Sequence, residues 1–281
     1  MAIRIVRTLS TLRRAVARWR ARGERIALVP TMGALHGGHL ALVRAARRRA
    51  QRVIVSIFVN PAQFAPSEDF ASYPRYFETD VRMLGELAVD LVWAPAAAVM
   101  YPPRFVTRVL PEGPATAGLE DKFRPHFFSG VATVVAKLLI QCTPDFAMFG
   151  EKDYQQLKVV TRLVKDLDLP VKIVPVATVR EPDGLALSSR NGYLSASERA
   201  AASTLYRVLK ECADKMARGE LLARVIDAGI DAIERAGFAL DYLEARHAET
   251  LEPVSSVKDG PIRLLVAARI GKTRLIDNVA A

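Results

Sequence analysis

Cysteine is nearly absent: the 281 residues hold two, Cys142 and Cys212, with no Cys-x-x-Cys spacing. That excludes a disulfide framework and a cysteine metal site, and it points to a reducing compartment. Long apolar runs are also missing. The best candidate, Val131 to Cys142, is broken by Lys137 and falls short of the roughly 18 apolar residues that a bilayer span requires. At the N-terminus arginines separate the apolar residues, so the continuous apolar stretch of a secretory leader is lacking. Internal repeats and low-complexity tracts are lacking as well. The expectation is a soluble, unexported, cytoplasmic protein with no membrane partner.

Apolar residues make up 51% of the chain, enough for a large buried core, so disorder is excluded as the main state. The length suits one large domain or two unequal ones. Forty Lys plus Arg against 30 Asp plus Glu leave a formal charge of +10. Such an excess attracts nucleic acid, anionic membrane or small anions alike, and charge alone does not choose among them. Much of it lies in two helical stretches, Arg13 to Arg25 and Arg44 to Arg52, where a solvated helix face explains it. No nucleic-acid-reading motif accompanies it, so nucleic acid is not an expected partner.

Short β-rich runs alternate with helical patterns through the first part of the chain. Arg25 to Val29 reads as a strand, Gly38 to Ala50 as a helix, and Arg52 to Val59 as an almost wholly apolar strand. A helix from Arg75 to Val89, a strand at Asp90 to Ala94, a helix at Val131 to Gln141, a strand at Asp145 to Phe149, a helix after Lys152 and a strand at Val171 to Ala177 follow. Continuous apolar strands separated by helices predict an α/β fold, a Rossmann-like parallel sheet with helices on both faces. Past Val179 the texture changes. Glu181-Pro182-Asp183-Gly184 is a turn signal, and Ser195 with Glu198 forms a capping box opening a helix from Ala196 to about Arg218. A helix from Leu221 to Ala236 and strands at Ala239 to Glu244 and Ile262 to Ala268 complete a smaller α+β C-terminal domain. The expected division is 1–177 and 178–281, the second being a candidate lid.

In an open parallel sheet ligands bind beyond the carboxyl ends of the strands. Three polar segments lie there, and a fourth follows the last strand of the sheet. Pro30-Thr31-Met32-Gly33-Ala34-Leu35-His36-Gly37-Gly38-His39 runs from a strand into a helix N-terminus, where glycines permit close ligand approach and free N–H groups favour phosphate. His36 and His39, three residues apart, can face one site. Asn60-Pro61-Ala62-Gln63 ends the next strand in two amides suited to a substrate with carboxylate and hydroxyl groups, although alone it is also an ordinary turn. Gly150-Glu151-Lys152-Asp153 sets a lysine at a strand-to-helix junction with Gln156 one turn on; alone it is also a plain helix start. Ser188-Ser189-Arg190 offers hydroxyls and a forked guanidinium to phosphate, and alone it is also a solvated loop.

His36-Gly37-Gly38-His39 resembles the His-x-Gly-His signature of the nucleotidylyltransferase superfamily. The four segments together resemble, in order and approximate spacing, the pantothenate synthetase family, with similarity from Ile26 through Ser195 and again at Leu275-Ile276-Asp277-Asn278. The resemblance implies an ATP-dependent ligase that adenylates pantoate and joins it to β-alanine, releasing AMP and pyrophosphate. It further implies that His36, His39, Lys152, Ser188, Ser189 and Arg190 handle the ATP phosphates and that Gln63 and Gln156 hold pantoate. Asn60 would line the same pocket, and Met32, Gly38, Gly150, Asp153 and Val179 would lie on the nucleotide side. Mg²⁺ with ATP and a homodimer are implied in the same way. No protein cage for the metal stands out; Asp80 is the one carboxylate singled out as a candidate ligand. The chain departs from the family at Arg124-Pro125-His126-Phe127-Phe128-Ser129-Gly130, where Phe127 holds the usual histidine position and His126 sits one place earlier. Either His126 fills the same space or the contact is absent.

Overall fold

A computed structural model describes residues 3–65 and 70–281. The first sheet contains β1 (Arg4–Val6), β2 (Ile26–Thr31), β3 (Arg52–Ile57), β4 (Leu91–Trp93), β5 (Phe146–Gly150) and β6 (Lys172–Val176). Their spatial order is β1-β4-β3-β2-β5-β6, and every neighbouring pair is parallel. The helices of this part are α1 (Leu9–Arg20), α2 (Gly37–Arg47), α3 (Phe77–Glu86), α4 (Ala97–Met100), α5 (Glu120–Phe123), α6 (Phe127–Cys142) and α7 (Tyr154–Asp166).

Successive side chains of a strand point to opposite faces, and the central strands bury both. Ile26 and Leu28 join a core with Leu12 and Val16 of α1, Val135 and Leu139 of α6, and Val160 of α7. Ala27 and Val29 join a second core with Val43 and Ala46 of α2 and Leu84 of α3. This two-sided burial is why β2 and β3 read as unbroken apolar runs. Helix α6 is buried nearly all round, and its one indole partner is satisfied: Trp93 Nε1 donates to Gln141 Oε1 at 3.2 Å. The arginines of α1 that face outward, Arg13, Arg14, Arg18 and Arg20, are exposed, as a solvated face requires. Among the described residues no helix is long and apolar enough to cross a membrane.

The second sheet is antiparallel, β7 (Ala239–His247), β8 (Ile262–Ile270) and β9 (Thr273–Ala280) in that order. Helices α8 (Ala196–Ala202), α9 (Thr204–Ala217) and α10 (Leu222–Arg235) belong to this part. Leu264, Val266 and Ala268 pack with Leu209 and Val225 of α9 and α10, whereas Leu265 and Ala267 join the core of the first sheet. Thus β8 is apolar on both faces because the small sheet is itself sandwiched. The capping box at Ser195 and Glu198 forms as expected. The single helix expected from Ala196 to Arg218 is instead interrupted at Ser203, and two strands, β1 and β9, extend beyond the elements legible in the sequence.

The chain lays down β2, β3 and β4 toward one edge, then returns to add β5 and β6 on the other side of β2. The carboxyl ends of β2 and β5 therefore flank a topological switch point, where the loops diverge and leave a crevice. Helix α6 closes one side of it. Gly130 lies so near the turn after β3 that a Cβ there would sit 2.2 Å from the Ala62 carbonyl oxygen. Gly130→Ala is expected to force the turn and helix apart at a cost of about 1–3 kcal/mol, read as a lowered thermal midpoint; an unchanged midpoint contradicts this packing.

Candidate active site

A cavity of about 640 Å³ opens at the switch point, within the range of about 300–1,000 Å³ common for small-molecule sites. The fourteen residues that the resemblance assigns to ATP or pantoate all line it: Met32, His36, Gly38, His39, Asn60, Gln63, Gly150, Lys152, Asp153, Gln156, Val179, Ser188, Ser189 and Arg190. Segments separated by up to about 150 positions thus share one space.

The loop from β2 to α2 turns through Gly33 (φ +82°) and Ala34 (φ +50°), left-handed conformations that are costly for most side chains. Asp80, at the start of α3 and 1% exposed, holds it there. Its Oδ2 accepts from the Ala34 N–H and its Oδ1 from the Leu35 N–H, both at 2.9 Å. Burial raises the Asp80 pKa, and these two backbone donors oppose that rise. Asp80 thus faces the loop and not the cavity, which it does not line, so the candidate metal ligand lies away from the site.

At the helix start, the His36 N–H donates to His39 Nδ1 (3.3 Å) and the Gly38 N–H to His36 Nδ1 (3.2 Å). The sequence suggested free N–H groups here for phosphate; two of them are instead taken by the imidazoles. Because each Nδ1 accepts, each neutral ring carries its proton on Nε2, on its far side, as a donor. The ring centroids are 4.1 Å apart. A Cβ at residue 38 would fall 2.9 Å from His36 Cε1, so glycine is required beside the ring. Burial, the larger cause, and then the nearby Lys152 charge lower His36 to about 4. Burial, then His36, then Lys152 lower His39 to about 3. Both rings feel Lys152, which follows β5, so the β2 and β5 loops meet.

Asn60 lines the cavity but has no capacity left for a ligand. Its Nδ2 donates to Gln63 Oε1 (3.1 Å) and the Gly130 carbonyl (3.2 Å), while Oδ1 accepts from the Ala62 N–H (3.2 Å) and the Tyr101 hydroxyl (2.7 Å). It orients Gln63, whose Nε2 also donates to Met32 Sδ at 3.0 Å. Gln156 lines the same space with no hydrogen bond from its amide to the described residues. The turn at Lys152 is held from the second sheet, since Asn278 Nδ2 donates to the carbonyls of Glu151 (2.9 Å) and Lys152 (2.8 Å).

Ser188 to Arg190 ends a small hairpin closed by the Arg180–Ala186 bridge and the Leu187 N–H to Val179 carbonyl bond. Ser188 Oγ accepts from the Arg190 N–H, and Ser189 Oγ lies 3.4 Å from the Tyr73 hydroxyl. Close by, Thr178 Oγ1 and Asn191 Oδ1 are buried on the cavity wall without a hydrogen-bond partner among the described residues. The departure at residues 126–127 resolves as a lost contact. His126 is exposed and off the cavity wall, while Phe127 lines the cavity with the Arg124 guanidinium 3.7 Å over its ring.

A family model described as Pantoate-beta-alanine ligase matches residues 4–280. The chain belongs to the pantoate–beta-alanine ligase family. Pantothenate synthetase of Nitrobacter hamburgensis is 66% identical over 275 residues, 98% of this chain and 97% of that protein. The Nitrobacter winogradskyi pantothenate synthetase is 67% identical with the same coverage. Among solved structures, the Thermus thermophilus pantothenate synthetase superposes with a TM-score of 0.93 at 50% identity, covering 99% of each chain. The Francisella tularensis pantoate-beta-alanine ligase, solved with beta-gamma ATP and beta-alanine, gives 0.82 at 34% identity over 99% of this chain and 98% of that one. The parallel sheet expected from the sequence is thus the fold of this ligase family. The sequence marked Asp277 and Asn278 only as part of the family resemblance; their place at the cavity and the anchoring role of Asp80 escaped it, and two adjacent polar residues inside the apolar C-terminal run were the available signal.

Both imidazoles are neutral at pH 7, and their folded pKa lies below the ordinary 6.5. The folded chain therefore binds fewer protons than the unfolded one, and the stability tied to this difference, complete above pH 6.5, is lost as pH falls toward the folded values. The thermal midpoint is expected to drop more steeply between pH 6.5 and about 4 in the wild type than in the H36N/H39N double variant. Equal slopes would mean that the rings titrate normally.

Proposed function

We propose that the cavity carries out an ATP-dependent condensation of pantoate with β-alanine through a pantoyl adenylate, yielding pantothenate, AMP and pyrophosphate. The observation that carries this reading is that His36, His39 and Lys152 line one cavity, with the two rings 4.1 Å apart and the Lys152 charge lowering both imidazoles. Three donors on one spot suit negative charge spread over a phosphoryl group in transfer.

In the first half-reaction the pantoate carboxylate attacks the α-phosphorus, and pyrophosphate leaves. His36 and His39 donate Nε2–H to the α-phosphate oxygens, Lys152 meets the negative charge that develops as pyrophosphate leaves, and Ser188, Ser189 and Arg190 hold the triphosphate. Met32, Gly38, Gly150, Asp153 and Val179 border the nucleotide. Gln63 and Gln156 hold pantoate, with Asn60 acting through Gln63. In the second half-reaction the β-alanine amine attacks the acyl carbon, and AMP leaves. No protein nucleophile is needed, because the substrate carboxylate performs that role and the protein contributes positioning and charge stabilisation.

Mg²⁺ accompanies ATP in this reading. Among the described acids lining the cavity, Glu120 is committed to Tyr242 and Arg274, and Asp277 to Arg180. Asp153, with its side chain 47% exposed and only a long 3.9 Å ion pair to Lys152, is the most accessible of them, which suits an ion held mainly by phosphates and water. When bound, it neutralises phosphate charge. Residues 178–281 are taken as a smaller domain roofing the nucleotide. Homodimerisation and a cytoplasmic location belong to the same reading, supported by the resemblance and by the scarcity of cysteine respectively.

Incubation with pantoate, β-alanine, ATP and Mg²⁺ is expected to release AMP and pantothenate in equal amounts; ADP as the nucleotide product contradicts the reading. His39→Ala is expected to cost roughly 2.7–4 kcal/mol, about 10²- to 10³-fold in kcat. Lys152→Ala should nearly abolish pantoate-dependent exchange of pyrophosphate into ATP, and normal exchange counts against its role. Substituting Gln63 or Gln156 should raise the KM for pantoate more than that for β-alanine.

A further inference from the structure

The nucleotide-handling loops are fastened to the last strand of the chain by two adjacent buried residues, Asp277 and Asn278, 5% and 2% exposed. Asn278 has every polar atom of its amide engaged. Both Nδ2 hydrogens go to the carbonyls of Glu151 and Lys152, and Oδ1 accepts from Arg263 Nε at 2.7 Å. Arg263 is in turn fixed by an ion pair to Glu151 (3.3 Å) and by the Tyr154 ring 4.2 Å away. Only one amide orientation satisfies this arrangement, because the guanidinium demands the oxygen and the two carbonyls demand the nitrogen.

Asp277 serves the other loop. Its Oδ2 accepts from Arg180 Nη1 at 2.6 Å and its Oδ1 from Arg180 Nη2 at 2.9 Å, a bidentate pair. The same guanidinium donates to the carbonyl of Gly184 at the hairpin tip (3.0 Å) and of Asn278 (3.3 Å), and it lies 3.9 Å over the Tyr206 ring. The hairpin that presents Ser188 to Arg190 is thus pinned through Arg180. Neither Asp277 nor Asn278 can bind a ligand without abandoning these partners, although both border the cavity.

We propose that Asp277 and Asn278 are positioning residues for adenylyl transfer, Asn278 setting the height of the Lys152 turn and Asp277 the reach of the Ser188–Arg190 hairpin. The inference rests on the adenylate-forming reading above. It assigns different kinetic consequences to neighbours on one strand. Lys152 acts on charge that develops during transfer, so disturbing its turn lowers kcat; the hairpin grips ATP in the ground state and transition state alike, so loosening it raises the KM for ATP.

The test is pantoate-dependent exchange of pyrophosphate into ATP by full-length wild type, N278D and D277N, with thermal midpoints measured alongside. Asn278→Asp preserves shape and the Arg263 contact but turns an acceptor toward two carbonyl oxygens. A displacement near 1 Å can cost about 100-fold, so kcat is expected to fall between about 10- and 100-fold with little change in the KM for ATP. Asp277→Asn weakens the grip on Arg180 and is expected to raise the KM for ATP about 10-fold, with a smaller effect on kcat. Should N278D not yield folded protein, R263K removes the Nε–H that orients the amide and is expected to lower kcat in the same sense. Wild-type rates per folded molecule in the variants overturn the proposal, as does a parallel loss in both that merely follows their thermal midpoints. No exchange by the wild type instead overturns the adenylate-forming reading itself.

Discussion

One buried carboxylate takes two backbone N–H groups, and the geometry of the cavity descends from that contact. The turn through Gly33 and Ala34 is left-handed at both positions, and such a turn persists only where its surroundings over-determine it. Asp80 provides the determination by accepting from Ala34 and Leu35. With the turn fixed, α2 begins at Gly37, His36 becomes its N-cap, and both imidazoles use their Nδ1 atoms to finish the helix start. Their Nε2–H groups are thereby aimed by backbone hydrogen bonds and not by side-chain packing alone. The sheet then brings Lys152 to the same place, because β5 returns beside β2 at the switch point.

The electrostatics follow from this placement. A cavity meant for a polyanion gains from cations, yet three adjacent cations would repel one another in a partly desolvated space. Burial and the Lys152 charge keep His36 and His39 neutral in the free protein, so the site holds directed donors without that mutual repulsion. The charge of +10 over the whole chain is a separate matter, much of it lying on the exposed faces of α1 and α2.

The legible parts of the molecule were those where one physical demand controls the residue type. Strands buried on both faces must be apolar throughout, so β2, β3 and β5 stood out, and the switch-point rule then located the loops that carry His36, Gln63 and Lys152. Less legible were features that depend on a distant partner. Asp80 reads as a candidate metal ligand, and only the fold reveals that it serves a loop 45 positions earlier. Asn60 reads as a ligand-binding amide, whereas four protein contacts consume it. Strand β1 has three residues set among arginines, and β9 carries Arg274, Asp277 and Asn278 inward, so neither shows a clean alternation. Those polar groups are satisfied by Asp241 of β7, Glu120 of α5, Arg180 and the Glu151–Lys152 turn, pairings that no local pattern encodes. At residues 126–127 the sequence left two outcomes open, and burial decided for Phe127.

In the proposed reaction the converging loops present the α-phosphorus of ATP to a carboxylate. Isotope transfer tests it most directly. With pantoate carrying ¹⁸O in its carboxylate, one complete turnover should move a single ¹⁸O atom into AMP, detected by mass or by the phosphorus shift, and leave pyrophosphate unlabelled. Product formed with no label in AMP, or label found in pyrophosphate, would contradict attack at the α-phosphorus and with it the assignment of these loops to adenylyl transfer.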